Sequence, residues 1–469
     1  MTANSPRPKI GLLALTLELY EQLAPGLREG REKWVRTAVL PALAELAEVT
    51  FRRAVFRRED IEAEVAALQA GGADALLVIL LTYSPSQLAL PALKRAGLPI
   101  CIWNTQELYA VDEGFDGPAM VDNHGVHGTQ DLANVLLRAG VRFRYATSHV
   151  RDSEATAELG DFFAAAMTAG RLRQARLGLL GYPFPGMGDF ALDTTQMVST
   201  LGCQWQVLGV EEYVRRAAAA PAEQAAALAA EYRRVYDVAA DISPADLEAT
   251  ARVELALRGM VADRKLDALT YQFMAFGDDE RTPTVPFVAA SRLMADGVGF
   301  GGEGDLIAAA GTALLNWLSG PASFTEVFTI DFAGNAVLLS HMGEANVAMA
   351  RPGRKVPLAA RPTPITRTRG RQLALVTSFQ PGLATLCALT LGPGGRWRLI
   401  AGRGRIGDFG PLPAMQVPHS KFIPDRDVRD YLTAYALAGG PHHAAVCFGD
   451  ALRRLRMLAD LIDADFFEV

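Results

Sequence analysis

The chain has 469 residues, of which 50% are hydrophobic and 21% are charged, and its formal net charge at pH 7 is -6. This composition excludes an intrinsically disordered or collagen-like chain, and the negative charge argues against a general affinity for nucleic acid or anionic membrane surfaces. The length predicts two or three domains, and a small, uncharged partner suits the charge better.

Targeting and redox signals are sparse. The first nine residues lack the apolar core of a secretory signal, and the longest apolar run, Ala75–Leu81, is too short to span a bilayer. The four cysteines form neither a CxxC pair nor a dense disulfide pattern; they are Cys101, Cys203, Cys387 and Cys447. We therefore expect a cytoplasmic protein with reduced core cysteines and no membrane anchor.

Short apolar runs alternate with helical patterns over the first third of the chain. The predicted strands are Lys9–Leu15, Val49–Val55, Ala75–Leu81, Leu98–Trp103 and Arg142–Ser148. This alternation predicts a parallel sheet with helices on both faces, in which ligands bind beyond the carboxyl ends of the strands. We predict an α/β domain over residues 1–171.

A second α/β domain is predicted over residues 172–324. Its strands are Arg176–Leu180, Gln204–Val210 and Leu266–Phe273, and an Ala-rich stretch between the last two favours helix. A loop rich in Pro and Gly ends at Asp189, whose side chain is predicted to cap the helix that follows. The predicted fold class is therefore α/β, with two doubly wound, Rossmann-like (flavodoxin-like) domains at the start.

The pattern changes over residues 325–469, where β-like runs are separated by Gly, Pro and charged turns. The predicted strands are Thr325–Asp331, Ala336–Ser340, Gln372–Phe379, Thr385–Leu391, Trp397–Ala401 and Met415–Val417. Helical patterns return only at Asp427–Leu437 and Asp450–Ile462. These runs predict a β-rich C-terminal domain, a barrel or a sandwich.

Histidine is scarce, with seven in the chain, so its placement is informative. His341 lies in a Gly-containing segment, and the pair His442 and His443 follows Gly-Gly-Pro. A lone histidine is more often structural than a ligand. An adjacent pair after a glycine turn is an unusual choice for packing alone, so these three are candidate metal ligands.

The Gly-rich turn Gly301–Asp305 adds two carboxylates, those of Glu303 and Asp305. Its glycines allow positive φ and close approach of a ligand. The same carboxylates would also suit the N-terminus of a helix that begins at Leu306, and both interpretations can hold together. Carboxylates and imidazoles without a thiolate favour Mn²⁺, Co²⁺ or Fe²⁺ over structural zinc. Such a site would polarise a carbonyl or bind a diol.

Four short motifs resemble those of the L-arabinose isomerase and L-fucose isomerase group, of which the chain is identified as a divergent member. Ser291–Asp305 reads SRLMADGVGFGGEGD and is similar to the RLM-x-x-G-x-G-x-x-GEGD motif of L-arabinose isomerase. Ser323–Glu326 resembles that family's SFMED, His341–Glu344 its HMLE, and Gly439–His443 its GGAHH. The motifs occur in the family's order over about 150 residues, which makes them specific together.

The resemblance implies a function and a set of site residues. It implies a metal-dependent isomerase or epimerase of a monosaccharide that transfers a proton through an enediol. Mn²⁺ is the expected ion, with Co²⁺ and Fe²⁺ as alternatives. Glu303 would bind the metal and move the proton, His341 would be a ligand, and one of His442 and His443 would be another.

The resemblance also implies a β-barrel at the C-terminus and a homo-oligomer with shared active sites. Weaker similarities in the N-terminal domain lie at Thr82–Ser86, at Asn104–Gln106 and around His127. Residues of this domain would line the sugar site of an adjacent subunit; they are His127, His124, Tyr83 and Glu18.

One departure from the family pattern bears on the mechanism. Where the family's TTNFED motif has a glutamate, the chain reads Thr270–Met274, so Met274 occupies the position of a second acid-base residue. A thioether cannot take a proton and is a poor ligand for a hard ion. A substitute carboxylate would have to come from Asp278, Asp279 or Glu280. The alternative function is a catalytically silent sugar-binding or regulatory paralogue.

Overall fold

A computed structural model describes residues 7–277, 281–361, 368, 370–409 and 412–469. These residues form two compact units that divide between Gly170 and Arg171. Within the described ranges, no helix has the length and apolar character needed to cross a bilayer. The alternative carboxylates of residues 278–280 lie outside the described residues.

The N-terminal unit contains a parallel sheet. Its strands are β1 (Lys9–Leu15), β2 (Glu48–Thr50), β3 (Ala54–Val55), β4 (Ala75–Leu80), β5 (Ile100–Asn104) and β6 (Arg144–Thr147). Its helices are α1 (Glu18–Leu23), α2 (Leu27–Trp34), α3 (Leu40–Leu43), α4 (Arg58–Ala70), α5 (Ser86–Arg95), α6 (Gly117–Asp122), α7 (Val126–Arg138) and α8 (Ser153–Gln174), with a π-helical turn at Val35–Val39. The strand order is β2-β1-β4-β5-β6, and β3 pairs with β1.

Strand β4 lies inside the sheet and is covered by other elements on both faces. All six of its residues are buried, because both faces of a parallel sheet are covered by other elements. Apolar residues of α4, α5 and α7 pack with it in one core. The predicted strand Val49–Val55 is divided into β2 and β3. The other four predicted strands of this unit are present with bounds shifted by at most two residues.

A buried carboxylate in α4 makes the stability of this unit depend on pH. Glu64 is 2% exposed, its Oε1 atom has no hydrogen-bond partner in the described structure, and its Oε2 atom lies 3.7 Å from Nη1 of the exposed Arg52. Burial raises the pKa of Glu64 above its ordinary value, and Arg52 only partly opposes this. The carboxyl group therefore stabilises the fold when protonated, and this contribution is lost as the pH rises through its raised pKa.

Replacing Glu64 with Gln is expected to raise the free energy of unfolding at pH 7 by about 1 kcal/mol, because the buried charge is removed. The gain should disappear near pH 4, where the glutamic acid is itself neutral. Urea unfolding at the two pH values measures both. Glu59→Gln, a change at an exposed position of the same helix, is the control. An equal gain at both pH values would contradict the prediction.

The second unit begins with another parallel sheet. Its strands are β7 (Arg176–Leu180), β8 (Gln204–Leu208), β10 (Ala268–Tyr271) and β11 (Gly299–Gly301), in the order β11-β10-β7-β8, and β9 (Asp237–Val238) belongs to a separate small sheet. The helices are α9 (Thr194–Leu201), α10 (Val210–Ala219), α11 (Ala222–Val235), α12 (Pro244–Arg264), α13 (Met274–Gly277), α14 (Phe287–Ala295) and α15 (Leu306–Ser319).

The remainder of this unit is dominated by a closed, mainly antiparallel barrel. The strands are β12 (Ala322–Asp331), β13 (Ala336–Ser340), β14 (Pro357–Arg361), β15 (Gln372–Leu375), β16 (Gly382–Leu391), β17 (Trp397–Ile406), β18 (His419–Pro424), β19 (His443–Phe448) and β20 (Asp465–Glu468), with helices α16 (Val428–Leu437) and α17 (Leu452–Ile462). The order is β16-β19-β12-β13-β18-β17, and pairing of β16 with β17 closes the barrel. Strand β20 pairs with β17, and β15-β14-β9 form the small sheet.

The structure thus confirms a mixed α/β protein with parallel sheets and a C-terminal barrel. The predicted strand at Met415–Val417 is wrong, because Pro413 and Pro418 flank this segment and proline cannot donate to a strand ladder. The strand begins instead at His419. The predicted boundary between residues 324 and 325 falls inside β12 and stays a prediction.

The four cysteines are buried and free, as predicted, and they lie in the cores of the two units. Short 3-10 turns at Val347–Met349 and Pro393–Gly395 complete the regular elements.

Candidate metal centre

The turn between β11 and α15 presents Glu303. Its backbone has φ 58, and Gly304 after it has φ 86, so two successive residues are in the left-handed region. Asp305 then caps α15, because its Oδ1 atom accepts a hydrogen bond of 2.9 Å from the backbone N–H of Ala308. The predicted helix start at Leu306 is confirmed, and Glu303 projects from the turn that precedes it.

Strand β12 places a second carboxylate beside the histidines. Glu326 is paired with Ser340 of β13 on one side and with His443, the first residue of β19, on the other. His341 directly follows Ser340. Because residues opposite each other on antiparallel strands have adjacent side chains, this register puts Glu326 beside His443, and the imidazole of His341, just beyond the end of β13, lies 3.7 Å from it.

Four side chains converge at this point: Glu303, Glu326, His442 and His443 each offer one atom, and these atoms lie within 4.8 Å of one another. His443 Nε2 lies 3.0 Å from Glu326 Oε1. Glu303 Oε2 lies 3.7 Å from His443 Nε2 and 3.9 Å from His442 Nε2. His341 stands at the edge of this group, with its Nε2 atom 3.7 Å from Glu326 Oε1.

A further carboxylate contacts the Nδ1 atom of each of these three histidines. The Nδ1 contacts are His341 with Glu344 at 2.5 Å, His443 with Asp305 at 2.8 Å, and His442 with Asp189 at 2.5 Å.

The prediction that Asp189 caps the following helix is wrong, because α9 begins at Thr194 and its cap is Asp193. Asp189 also accepts a hydrogen bond of 3.0 Å from the backbone N–H of His442.

The centre is buried and electrostatically coupled. Burial opposes ionisation of Glu326, but the neighbouring imidazoles outweigh this effect and lower the pKa of its carboxyl group. Burial likewise disfavours a charged His443, but Asp305 and Glu326 raise the pKa of His443 to about 10. The ring of Phe324 lies edge-on to His341 and His443, with centroids 4.7 and 5.0 Å away. Negative carboxylates in a partly apolar enclosure attract a cation.

Two buried atoms of the centre, Glu303 Oε2 and His341 Nε2, have no hydrogen-bond partner in the described structure, and His443 Nε2 has the Glu326 carboxylate 3.0 Å away but outside hydrogen-bond geometry. Leaving such atoms without partners costs free energy, which a ligand would recover. Bonds from Mn²⁺-type ions to oxygen and nitrogen are about 2 Å long, so ligand atoms of one ion lie within about 4 Å of each other. The present separations require only small side-chain movements, and the donor set suits a divalent ion of this type.

The structure changes the sequence-based view of the second carboxylate. Met274 packs against the apolar core of this unit. Glu326, from a different strand, brings a second carboxylate to the candidate metal group. That Met274 replaces a second acid-base residue stays a prediction. The sequence contained a signal for Glu326 in the motif Ser323–Glu326, but that motif alone does not reveal that Glu326 lies opposite His443.

The predicted sugar-site residues of the N-terminal unit form a cluster of their own. Tyr83 stacks on His127 with ring centroids 5.0 Å apart, and His124 lies 5.2 Å from His127. His124 Nε2 is 2.7 Å from the Tyr20 hydroxyl group. Glu18 is exposed and binds Arg57 instead of joining this cluster.

Two family models match the second unit. The L-arabinose isomerase central domain matches residues 191–320, and the L-arabinose isomerase C-terminal domain matches residues 321–465. Together they cover more than half of the chain.

Full-length relatives give the same family. An L-arabinose isomerase from Nocardioides sp. is 29% identical, over 82% of this chain and 79% of the relative. Another, from Geobacillus kaustophilus, is 26% identical, over 95% and 90%. A solute-binding protein from Agrobacterium vitis, known as a solved structure, is 16% identical over 56% of this chain and 76% of that chain, with a TM-score of 0.16, too low to support any argument. The chain belongs to the L-arabinose isomerase family of sugar isomerases.

Proposed function

We propose that the protein is a metal-dependent aldose–ketose isomerase that acts on a monosaccharide. The observation that carries this proposal is the pair of carboxylates, Glu303 and Glu326, which both lie within 4 Å of the Nε2 atoms of His442 and His443. Interconversion of an aldose and a ketose moves one proton from C2 to C1 and another between the two oxygens. Two groups that exchange protons are therefore needed within reach of one substrate.

We assign the metal ligands to Glu303, Glu326, His341 and His443. His341 replaces His442 in this set because its Nε2 atom is buried without a partner, whereas the His442 side chain is 39% exposed. A bound Mn²⁺, Co²⁺ or Fe²⁺ would hold two adjacent sugar oxygens and polarise the carbonyl group. Mn²⁺ is our first choice.

The protein side chains then have separate tasks. Glu303 takes the proton from C2 and returns it to C1, and Glu326 exchanges the proton that moves between O1 and O2. His442, which is the most exposed of the three histidines, hydrogen-bonds a sugar hydroxyl group, and Asp189 keeps its ring in place. The ring of Phe324, against His341 and His443, and the ring of Phe190, stacked on His443, exclude water, which would compete for the protons in transit.

We also propose a homo-oligomer in which His127, His124 and Tyr83 of one subunit contribute to the sugar site of another. The support is the resemblance of their motifs to the family's, together with their clustering in the N-terminal unit. Aromatic rings of this kind suit the apolar face of a sugar. Glu18, the fourth residue predicted for this site, accepts hydrogen bonds from Arg57.

A screen of the metal-loaded protein against aldopentoses, deoxyhexoses and aldohexoses, with detection of ketose, tests the proposed function. We expect ketose from at least one sugar, dependence on Mn²⁺ or Co²⁺, and none from Glu303→Gln. If the protein binds Mn²⁺ and yet forms no ketose from any of these sugars, the isomerase proposal fails and the silent sugar-binding alternative is supported.

A further inference from the structure

A carboxylate behind a histidine ring determines which nitrogen atom carries the proton. An ionised carboxylate only accepts hydrogen bonds, so the Nδ1 atom that contacts it is the donor and the Nε2 atom presents a lone pair. Metal-bound histidines in proteins are commonly oriented in this way. Of the three carboxylates that contact histidine Nδ1 atoms, Asp305 also caps a helix and Asp189 is 37% exposed, whereas Glu344 is 2% exposed.

Among the described residues, Glu344 has two hydrogen-bond partners, and both are buried. Its Oε2 atom lies 2.5 Å from His341 Nδ1, and its Oε1 atom accepts a hydrogen bond from the Tyr271 hydroxyl group. Burial, together with the negative charge of Glu344, raises the pKa of Tyr271 well above its ordinary value, so the phenol keeps its proton. Both carboxylate oxygens are thereby satisfied, as a buried carboxylate requires.

The surrounding structure leaves the Glu344 segment little freedom. A Cβ atom on Gly343 would lie 2.5 Å from the ring of Phe287, so the turn after His341 packs directly on α14. The backbone N–H of Ala345 donates to the hydroxyl group of Ser291, which lies on the same helix. Tyr271 is the last residue of β10. Glu344 therefore connects a barrel histidine to the carboxyl end of β10, an inner strand of the parallel sheet.

We propose that Glu344, supported by Tyr271, is a positioning residue that holds His341 with Nδ1 protonated and Nε2 turned toward Glu326, ready for a divalent metal ion. This inference rests on the proposed function, because the ion gives the arrangement its use. Glu344 touches neither the substrate nor the ion. Glu344 acts on the ion through His341, and Tyr271 acts by holding the Glu344 carboxylate in place.

Metal affinity measures this role without reference to catalysis. Mn²⁺ binding to Glu344→Ala, Glu344→Gln and Tyr271→Phe is followed by the electron paramagnetic resonance signal of free Mn²⁺. Loss of such a partner typically weakens metal binding about 10- to 100-fold, and we expect this range for Glu344→Ala. Glu344→Gln retains the volume and an oxygen acceptor, so it should recover most of the affinity. Tyr271→Phe should fall between Glu344→Gln and Glu344→Ala.

A spectroscopic signature separates positioning from mere packing. In the Co²⁺-loaded protein, the Nδ1–H proton of a histidine ligand gives a strongly shifted, exchangeable proton resonance. The signal of His341, assigned by its absence in His341→Gln, should persist in the unsubstituted protein and in Glu344→Gln. It should be lost to exchange with water in Glu344→Ala.

The matched control is Tyr232→Phe, which removes a buried hydrogen bond of 2.7 Å from a tyrosine to Glu254 away from the metal centre. It should leave Mn²⁺ affinity and the His341 resonance unchanged. If the unsubstituted protein binds no Mn²⁺, the proposed metal-dependent function fails. If it binds Mn²⁺, and Glu344→Ala binds equally well and retains the His341 resonance, the positioning role is overturned. If Glu344→Ala does not fold, Tyr271→Phe decides the test. The positioning role requires that Tyr271→Phe weaken Mn²⁺ binding more than Tyr232→Phe does.

Discussion

Replacing Glu326 with Gln is expected to lower kcat by roughly 10²- to 10⁴-fold, the usual contribution of a group that transfers protons in the transition state. Gln has nearly the same shape as Glu but cannot take a proton. Glu326 Oε1 lies 3.0 Å from His443 Nε2 and 3.7 Å from His341 Nε2, so the change also removes the negative charge between two histidines. Metal affinity should therefore fall together with kcat.

Steady-state kinetics on the sugar identified by the screen, at saturating Mn²⁺, separates these two effects. Glu223→Gln, which alters an exposed carboxylate in the first turn of α11, is the control and should match the unsubstituted protein. If Glu326→Gln retains kcat within about threefold at saturating Mn²⁺, Glu326 is not an acid-base group, since that loss is far below the range expected for one.

Replacing Gly302 with Ala is expected to abolish tight Mn²⁺ binding while the fold is retained. A Cβ atom at this position would lie 2.9 Å from His341 Nε2 and 2.9 Å from the Phe324 ring. The φ angle of Gly302 is outside the left-handed region, so the backbone accepts alanine and the effect is steric. A displacement of about 1 Å in such a site can cost 10²-fold in function.

Calorimetric titration with Mn²⁺ and a thermal unfolding scan test this expectation together. Gly30→Ala, on α2, is the matched control, because a Cβ atom there has no neighbour within 4 Å among the described residues and alanine favours helix. It should bind Mn²⁺ normally. Unchanged Mn²⁺ affinity in Gly302→Ala would mean that His341 does not face the ion.

Local patterns were sufficient for much of the fold. Strand Lys9–Leu15 and strand Arg176–Leu180 are present with the predicted bounds, because a continuous apolar run flanked by polar residues specifies a buried strand from neighbouring residues alone. The exceptions are short or edge elements. Strand β20 has four residues and strand β14 has five, too few to show a periodic pattern, so their pairing partners make them strands.

Some residues of the candidate site could also be predicted from short motifs, whereas others depend on the tertiary structure. Glu303, His341 and the histidine pair stand in short motifs, and the capped helix that begins at Leu306 follows from the residues next to it. The role of Glu326 depends on a cross-strand register with His443, 117 residues later in the chain. The partner of Asp189 is 253 residues away. Contacts between distant residues come from the closure of the barrel and its docking on the parallel sheet, which no local pattern encodes.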